Sequence, residues 1–313
     1  MFFIGIDGGG TKTEFVLTNE NGFVLSKLIK KGSNPNDCGL ENSCAVLENG
    51  ISEVLSAGGV RAKDVFIFAG ISGAGSGDNA NKLQNMLSKI YPYISVQSDL
   101  ANALEVCLKG EDGVAVICGT GISCSLYKDG KRKTVGGYGY LFEDGGSGYA
   151  YGRDCVKAAL KARDGYGKKT CLNDLIFEQF SKDVWDCLPN FLLGGKKTVA
   201  SLCPLVFAGM SMGDEVCAQI VEENLSATVE LLKNALTIYN EEKCKISFIG
   251  GLTKEGLFRE RMQKEFGENY ELVYANLTPV YGAVRIAVLV SGKKITKEFE
   301  QNYINSIKGE EKC

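Results

Sequence analysis

Two glycine-rich segments combine hydroxyl, charged and backbone N–H groups in a way that suits phosphate binding. The first, residues 7–13 (DGGGTKT), follows the short apolar run 2–6. Glycines let a backbone approach a ligand closely and leave N–H groups free for phosphate oxygens. The segment lacks the P-loop pattern, and a strand pattern follows it where a dinucleotide-binding fingerprint has a helix. The candidate phosphate ligands are Gly9, Gly10, Thr11, Lys12 and Thr13.

The second glycine-rich segment makes a chance turn a poor explanation for the first. Residues 118–123 (CGTGIS) follow the apolar run 114–117 and contribute Gly119, Thr120 and Gly121 as candidates. Strand, glycine loop, strand, tight turn and strand thus occur twice, about 110 residues apart, which indicates an internal duplication. A third glycine segment, Gly250 and Gly251 after the apolar run 246–249, suits close approach of a flat group or a plain strand-to-helix turn.

The chain contains no histidine, and this narrows the chemistry. Nucleophilic schemes that pair serine or cysteine with histidine are excluded, as are histidine-ligated metals. A carboxylate is the usual base when an alcohol attacks a phosphoryl group. Asp99 follows the short strand pattern 94–97 and opens a helical segment, where a helix N-terminus keeps a carboxylate ionised. It is the candidate base, with a plain N-cap as the structural alternative.

Composition limits the classes of protein to consider. The 313 residues are 44% hydrophobic with a formal net charge of −3, and no long basic run suggests nucleic acid as a partner. No apolar stretch is long enough to span a bilayer, and residues 1–7 resemble a buried strand more than a signal peptide. We therefore expect a cytoplasmic protein. The twelve cysteines form no C-x-x-C pair, so buried reduced thiols are expected.

The elements that position these loops alternate between strand and helix patterns, which predicts an α/β fold. At this length a chain usually divides into two lobes. The predicted helices are 38–55, 79–90, 146–163, 216–239 and 279–290.

The three glycine segments resemble the phosphate-1, phosphate-2 and adenosine motifs of the sugar kinase, actin and heat-shock ATPase superfamily. More narrowly, residues 2–290 resemble the BadF/BadG/BcrA/BcrD ATPase family and its N-acetylglucosamine kinases, most specifically at residues 136–149 (GGYGYLFEDGGSGY). The resemblance implies a two-lobed, duplicated ribonuclease-H-like fold with a central cleft. Residues 1–110 would form the N-terminal lobe, with the tail 292–313 packed on it or loose, and residues 111–291 the C-terminal lobe.

The resemblance also implies roles for individual residues, with ATP and Mg²⁺ as cofactors. Asp7 would hold Mg²⁺ through water, Asp99 would be the catalytic carboxylate, and Ala208, in the segment 204–209, would line the nucleotide base. The positions implied to contact the sugar are Asn34, Ser72, Asp99, Gly137, Tyr138, Gly139 and Asp144.

The predicted reaction is ATP-dependent phosphorylation of an amino sugar, first of all N-acetylglucosamine at the 6-hydroxyl, as in carbohydrate metabolism and cell-wall recycling. Tyr138 stands where relatives often have Trp, and residues 143–147 depart from their Gly-Asp-Glu-Gly-Ser run, so the sugar is less constrained than the reaction. N-acetylmuramic acid, alone or with N-acetylglucosamine, and glucosamine are alternatives. So are a dehydratase-activating ATPase, whose Gly-Gly-Gln-Asp-x-Lys segment is missing, and a non-catalytic sugar and ATP sensor. The sequence leaves open whether the protein forms a homodimer.

Overall fold

The computed structural model describes residues 1–310, with side chains through residue 308. The strands are β1 Phe2–Gly8, β2 Lys12–Asn19, β3 Val24–Lys31, β4 Val65–Ile71, β5 Ile94–Gln97, β6 Gly113–Cys118, β7 Ile122–Lys128, β8 Lys131–Gly136, β9 Lys245–Ile249 and β10 Glu271–Tyr274. The α-helices are α1 Pro35–Cys38, α2 Leu40–Gly58, α3 Asn79–Leu87, α4 Leu100–Leu108, α5 Gly148–Arg163, α6 Leu172–Phe180, α7 Val184–Ala200, α8 Cys203–Ser211, α9 Glu215–Tyr239, α10 Gly256–Phe266, α11 Pro279–Val290 and α12 Lys297–Glu310. Two short 3-10 helices cover Ala62–Asp64 and Gly251–Lys254.

The chain forms two compact units. The first contains Met1–Gly110 together with the chain from Asn276 onward, and the second is Glu111–Ala275. Each unit has a five-stranded sheet, in the orders β3-β2-β1-β4-β5 and β8-β7-β6-β9-β10. In both sheets an antiparallel three-stranded meander is followed by two parallel strands. The predicted α/β class and duplication are confirmed.

Local sequence explains several of these elements. Asp129 and Gly130 both have positive φ angles, of 50° and 72°, as a two-residue type I′ turn requires, and this turn sets the β7–β8 register. In α9, Asp214 caps the N-terminus by accepting hydrogen bonds from Val216 N and Cys217 N. The predicted apolar stripe of α9 is buried at Cys217, Val221, Leu225, Val229, Leu232 and Leu236.

The predicted boundary of the second lobe was wrong at helix α11, which belongs to the first unit. We expected residues 111–291 to form one lobe, but α11 packs on β1 and α4 of the first unit. A Cβ at Gly5 would lie 2.4 Å from Val284 N, and one at Gly282 would lie 2.0 Å from the Asn102 carbonyl oxygen. Glycine at both positions lets the helix backbone approach the sheet and α4 more closely than a side chain would allow.

The charged tail also belongs to the first unit. Helix α12 buries Phe299 and Tyr303, whose rings lie 6.4 Å from Phe3 and 4.4 Å from Tyr281 between centroids. Of the two alternatives for the tail, packing on the first unit therefore describes residues 297–310, while Cys313 lies outside the described residues.

Over residues 1–310, no individual helix has the length and apolar character of a membrane span. Helices α7 and α8, bent by 64° at their junction, meet that criterion only when taken together and only by length and composition.

Candidate active site

The first glycine loop is a hairpin turn at the end of β1. Gly9 N donates to the Lys12 carbonyl oxygen at 2.8 Å, and Gly10, Thr11 and Lys12 are exposed. Their backbone and side-chain donors are thus presented to solvent. Lys12 is also 3.5 Å from the carboxylate of the buried Glu14.

Thr13 lies behind this loop and not in it. Its side chain is fully buried, and its hydroxyl lies 2.9 Å from the Lys31 carbonyl oxygen and 2.8 Å from Ser33 Oγ. Sequence reasoning treated the hydroxyl as a phosphate donor. In the structure it ties β2 to β3 and so supports the loop indirectly.

Asp7 is the next-to-last residue of β1, just before the loop. It is half-buried and pairs in register with Gly70 of β4. Burial raises the pKa of Asp7 to about 6; a hydrogen bond from Asn102 opposes this rise, and the carboxylates of Asp99 and Glu14 add to it. A carboxylate that is partly desolvated and close to other negative charges is a favourable place for a cation.

Asn102 is a site residue that the sequence analysis did not identify. It is fully buried on α4, and its Nδ2 lies 2.8 Å from Asp7 Oδ1, 3.2 Å from the Ile6 carbonyl oxygen and 3.4 Å from that of Gly70. With acceptors on this side, the amide must present its nitrogen there, and it orients one carboxylate oxygen of Asp7. The available signal was its position one helical turn after Asp99.

Asp99 is the N-cap residue of α4, but its side chain makes no capping hydrogen bond. Ser98 Oγ donates to Asp99 Oδ1 at 3.1 Å, and it also lies 3.4 Å from Leu100 N. The carboxylate is half-buried and interacts electrostatically with Asp7. The side-chain N-cap that was the structural alternative is therefore not formed.

Asn34 and Ser72 lie near each other beside the first loop. Ser72 N donates to the Gly8 carbonyl oxygen at 2.7 Å, and a Cβ on the neighbouring Gly73 would lie 2.0 Å from Asn34 Oδ1. Asn34 caps α1: its Oδ1 accepts from Asn36 N at 3.0 Å, and its Nδ2 donates to Asp37. Three further polar side chains, which the sequence analysis missed, link these two loops: Asn36, Ser76 and Asn79.

The second glycine loop lies against the start of α5 in the second unit. Gly148 N donates to the Gly119 carbonyl oxygen at 2.8 Å, and Tyr149 N donates to that of Thr120 at 3.1 Å. A cavity of about 520 Å³ opens beside it. Its lining residues are Gly119, Thr120, Gly148, Lys197, Ala200, Ser201, Cys203, Pro204, Gly251, Leu252 and Glu255.

This cavity unites three predicted nucleotide segments: the second loop, the 250–251 pair and the start of the 204–209 segment. Gly251 lines it, whereas Gly250 lets β9 end close to β6, since a Cβ there would lie 2.1 Å from the Cys118 carbonyl oxygen. Ala208, exposed one turn further along α8, is not part of the lining. Ser201 and Cys203 are lining residues that sequence reasoning missed.

The predicted sugar loop connects β8 to α5. Gly136, Gly137, Gly139 and Gly146 all have positive φ, and Tyr138 is 71% exposed. Gly137, Tyr138 and Asp144 line a cavity of about 320 Å³ with residues of α9, and Gly139 does not. Glu143 also lines it and is hydrogen-bonded to Ser147 Oγ, which caps α5; burial raises the pKa of Glu143.

Comparison with known proteins agrees with the two glycine loops and their duplicated sheets. The model of the BadF/BadG/BcrA/BcrD ATPase family matches residues 4–287. The chain belongs to this ATPase family. The family resemblance noted from the sequence is thereby confirmed.

Two curated relatives of this family member are kinases that act on amino sugars. It is 29% identical over 314 residues to the N-acetyl-D-glucosamine kinase of Dictyostelium discoideum, covering 91% of this chain and 97% of the relative. It is also 29% identical over 299 residues to the N-acetylmuramic acid/N-acetylglucosamine kinase of Clostridium acetobutylicum, covering 91% and 98%.

A solved structure supports the fold of this family member. A Chromobacterium violaceum protein suggested to be an N-acetylglucosamine kinase superposes with a TM-score of 0.77 at 22% identity, covering 91% of this chain and 98% of that one. The predicted actin-like ATPase fold is therefore confirmed.

Proposed function

We propose that this protein is an ATP-dependent amino-sugar kinase that phosphorylates N-acetylglucosamine on its 6-hydroxyl group. The observation that carries the proposal is that an open glycine loop, Asp7 and Asp99 lie together at one edge of the first sheet. The Asp99 side chain makes no capping hydrogen bond. Phosphoryl transfer needs donors for the phosphates, oxygen ligands for a cation and a base for the attacking hydroxyl. The two curated relatives that align with 91% of this chain are both named as kinases of N-acetylglucosamine.

Each glycine loop, taken by itself, offers backbone and side-chain groups that suit a nucleotide phosphate. We assign phosphate binding to exposed groups of the first loop and to Gly119, Thr120 and Gly121 of the second. The 520 Å³ cavity beside Gly251 and Pro204 suits the adenosine. Gly250 has a supporting role in that assignment, as Thr13 has for the first loop.

The residues around Asp7 fit Mg²⁺, which prefers oxygen ligands and keeps several waters. Asn102 fixes one oxygen of Asp7, and the neighbouring carboxylates make a cation electrostatically favourable there. When bound, Mg²⁺ would neutralise charge on the transferring phosphoryl group. Asp7 would orient it.

Asp99 would accept the proton of the attacking sugar hydroxyl. Its carboxylate has no capping bond to release and lies at the N-terminus of α4. In the first unit, Asn34 and Ser72 are the candidate sugar ligands. In the second unit, considered separately, the candidates are residues 137–139 and Asp144.

The charges favour a neutral sugar over an anionic one. Lys30 and Lys31 stand just before Asn34 and could meet the lactyl carboxylate of N-acetylmuramic acid, but Lys30 forms an ion pair with Glu53. The cavity at the sugar loop is lined by Glu143, Asp144 and Glu230, which would repel a carboxylate. N-acetylmuramic acid remains the second candidate because the Clostridium acetobutylicum relative is named for both sugars.

A panel of sugars assayed with Mg-ATP by coupled ADP release tests this proposal. N-acetylglucosamine should have the highest kcat/KM, with N-acetylmuramic acid and glucosamine at least about 10-fold lower, a difference of about 1.4 kcal/mol. A higher kcat/KM for either of the other sugars would reverse the substrate assignment.

The same preparation separates the other classes. If calorimetry shows that the sugars bind but none of them causes ADP release, the result would support the non-catalytic sensor. Iron and visible absorbance in anaerobically purified protein would support the dehydratase activator.

A further inference from the structure

Three side chains outside the proposed kinase site meet at the N-termini of two helices in the second unit. Cys171 is the N-cap residue of α6, Asp214 is the N-cap residue of α9, and Cys217 lies in the first turn of α9. The two sulfur atoms and a carboxylate oxygen of Asp214 all lie within 4.8 Å of one another.

Gly209 of α8 provides the space in which the two sulfur atoms converge. A Cβ at this position would lie 2.5 Å from Cys217 Sγ and 3.0 Å from Cys171 Sγ. Any larger residue would push the thiols apart. The convergence therefore depends on three helices, α6, α8 and α9, and not on a single loop.

Backbone hydrogen bonds hold the Asp214 carboxylate in place. Oδ1 accepts from Val216 N and Cys217 N at 2.9 Å each, and Oδ2 accepts from Cys171 N at 2.7 Å. These hydrogen bonds fix the orientation of the carboxylate.

We propose that Cys171, Asp214 and Cys217 bind a divalent cation of the zinc class. Two sulfur ligands select a borderline or soft metal such as Zn²⁺ or Co²⁺ over Mg²⁺, which prefers oxygen. Three protein ligands leave a fourth tetrahedral position for water. Cys217 is buried while Cys171 and Asp214 are half-exposed, so the metal has a route from solvent.

The charge balance of binding is favourable. Two S–H bonds break, two metal–sulfur bonds form and two protons pass to solvent, with no electron transfer. Two thiols and one carboxylate carry a net charge of −1, and so do two thiolates, one carboxylate and a divalent cation. Two helix N-termini favour an anionic site, and the exchange preserves it. A bound metal would link the start of α6 to the start of α9.

Titration of the metal-free, reduced full chain with Co²⁺ tests the proposal, in the absence of ATP and sugar. The wild-type protein should show thiolate-to-cobalt charge-transfer absorbance that saturates at one equivalent, and Zn²⁺ should displace the cobalt. Cys171→Ser should weaken Co²⁺ binding at least 10-fold. Zn²⁺ should raise the Tm of the wild type and leave that of Cys171→Ser unchanged.

Two control variants keep the test specific. Cys244→Ser changes another half-exposed thiol of the same unit and should retain the cobalt signal. Asp7→Asn should also retain it, which separates this site from the proposed Mg²⁺ site and from any failure of the kinase assignment. No charge-transfer band in the wild type, an equal band in Cys171→Ser, or a Cys171–Cys217 disulfide in protein purified without oxidant would overturn the proposal.

Discussion

The two glycine loops occupy equivalent places in the two sheets, yet the residue before each loop differs in kind. In the first unit this residue is Asp7, the next-to-last residue of β1, and in the second unit it is Cys118, the last residue of β6. Asp7 carries a carboxyl group and is half-buried, whereas Cys118 carries a thiol and is completely buried. The duplication preserved the loop that can bind phosphate in both units. Of these two equivalent positions, only the one in the first unit carries a carboxylate.

The helices near these strands show the same difference. In the first unit, α4 brings Asp99 and Asn102 to the end of β1, so that charge and orientation are controlled together. In the second unit, the end of β6 meets the backbone of Gly250, and a cavity opens beside the loop. In the proposed function, the first copy of the duplicated fold supplies the carboxylates and the second copy supplies the cavity for adenosine.

Removing the candidate base, which only the first unit provides, should have the largest effect on activity. In Asp99→Asn, kcat should fall by about 10²–10⁴-fold because the amide cannot accept the hydroxyl proton. Sugar affinity, measured by calorimetry, should change little. Asp64→Asn, an exposed carboxylate of the same unit paired with Arg61, is the matched control and should keep normal kinetics. Near-normal turnover in Asp99→Asn would remove Asp99 from the mechanism.

Neutralising Asp7 should produce the next largest loss. Asp7→Asn should reduce kcat/KM for Mg-ATP by about 10²-fold, since a preorganised charge beside the transferring group is lost. The Mg²⁺ concentration needed for half-maximal rate should rise, while ATP binding without metal, followed by calorimetry, should not weaken. An unchanged Mg²⁺ requirement would contradict the assignment of Asp7.

The third glycine segment, Gly250 and Gly251, lies beside the second loop and should be sensitive to backbone changes. Gly250 has φ 125° and ψ 174°, a conformation available essentially only to glycine, and a Cβ would strike the Cys118 carbonyl. Gly250→Ala should lower the free energy of unfolding by about 1–3 kcal/mol, measured by urea denaturation. Gly251→Ala is the control, because a Cβ there meets nothing within 4 Å. It should leave stability unchanged and raise the KM for ATP. Equal stability losses would refute the difference.

The smallest expected effect is a pH dependence of stability that comes from Asp7. Its pKa in the folded protein is about 6, above the ordinary value of 3.8. The folded state therefore binds the proton more tightly than the unfolded state, and stability decreases as pH rises from about 4 through 6. Asp7→Asn should have a Tm a few degrees above wild type at pH 8, with the difference much reduced at pH 4. A pH-independent difference in Tm would contradict this origin.

Much of the fold could be predicted because it depends on local patterns. The two glycine loops and the predicted helix 216–239 appear in the structure where the sequence placed them. Asp99 could be proposed as the base because the chain lacks histidine and because the family resemblance implies a catalytic carboxylate at this position. Asn102 was not identified, because its position one helical turn after Asp99 does not by itself show that its amide reaches Asp7.

Other differences have equally specific causes. The hydroxyl of Thr13 belongs to the β2–β3 pair because its strand position points it inward. Ala208 lies on the exposed part of α8, although Pro204, one turn earlier, lines the cavity. Helix α11 belongs to the first unit because two glycines, far apart in the sequence, allow close packing.

The sequence by itself determined the α/β class, the duplication and the chemical character of both loops, since periodicity and glycine spacing act over a few residues. Only the tertiary structure decided which carboxylate is held by Asn102, which threonine is buried, and that Cys171 and Cys217 converge over Gly209. These facts depend on contacts between residues distant along the chain, and no local pattern encodes such contacts.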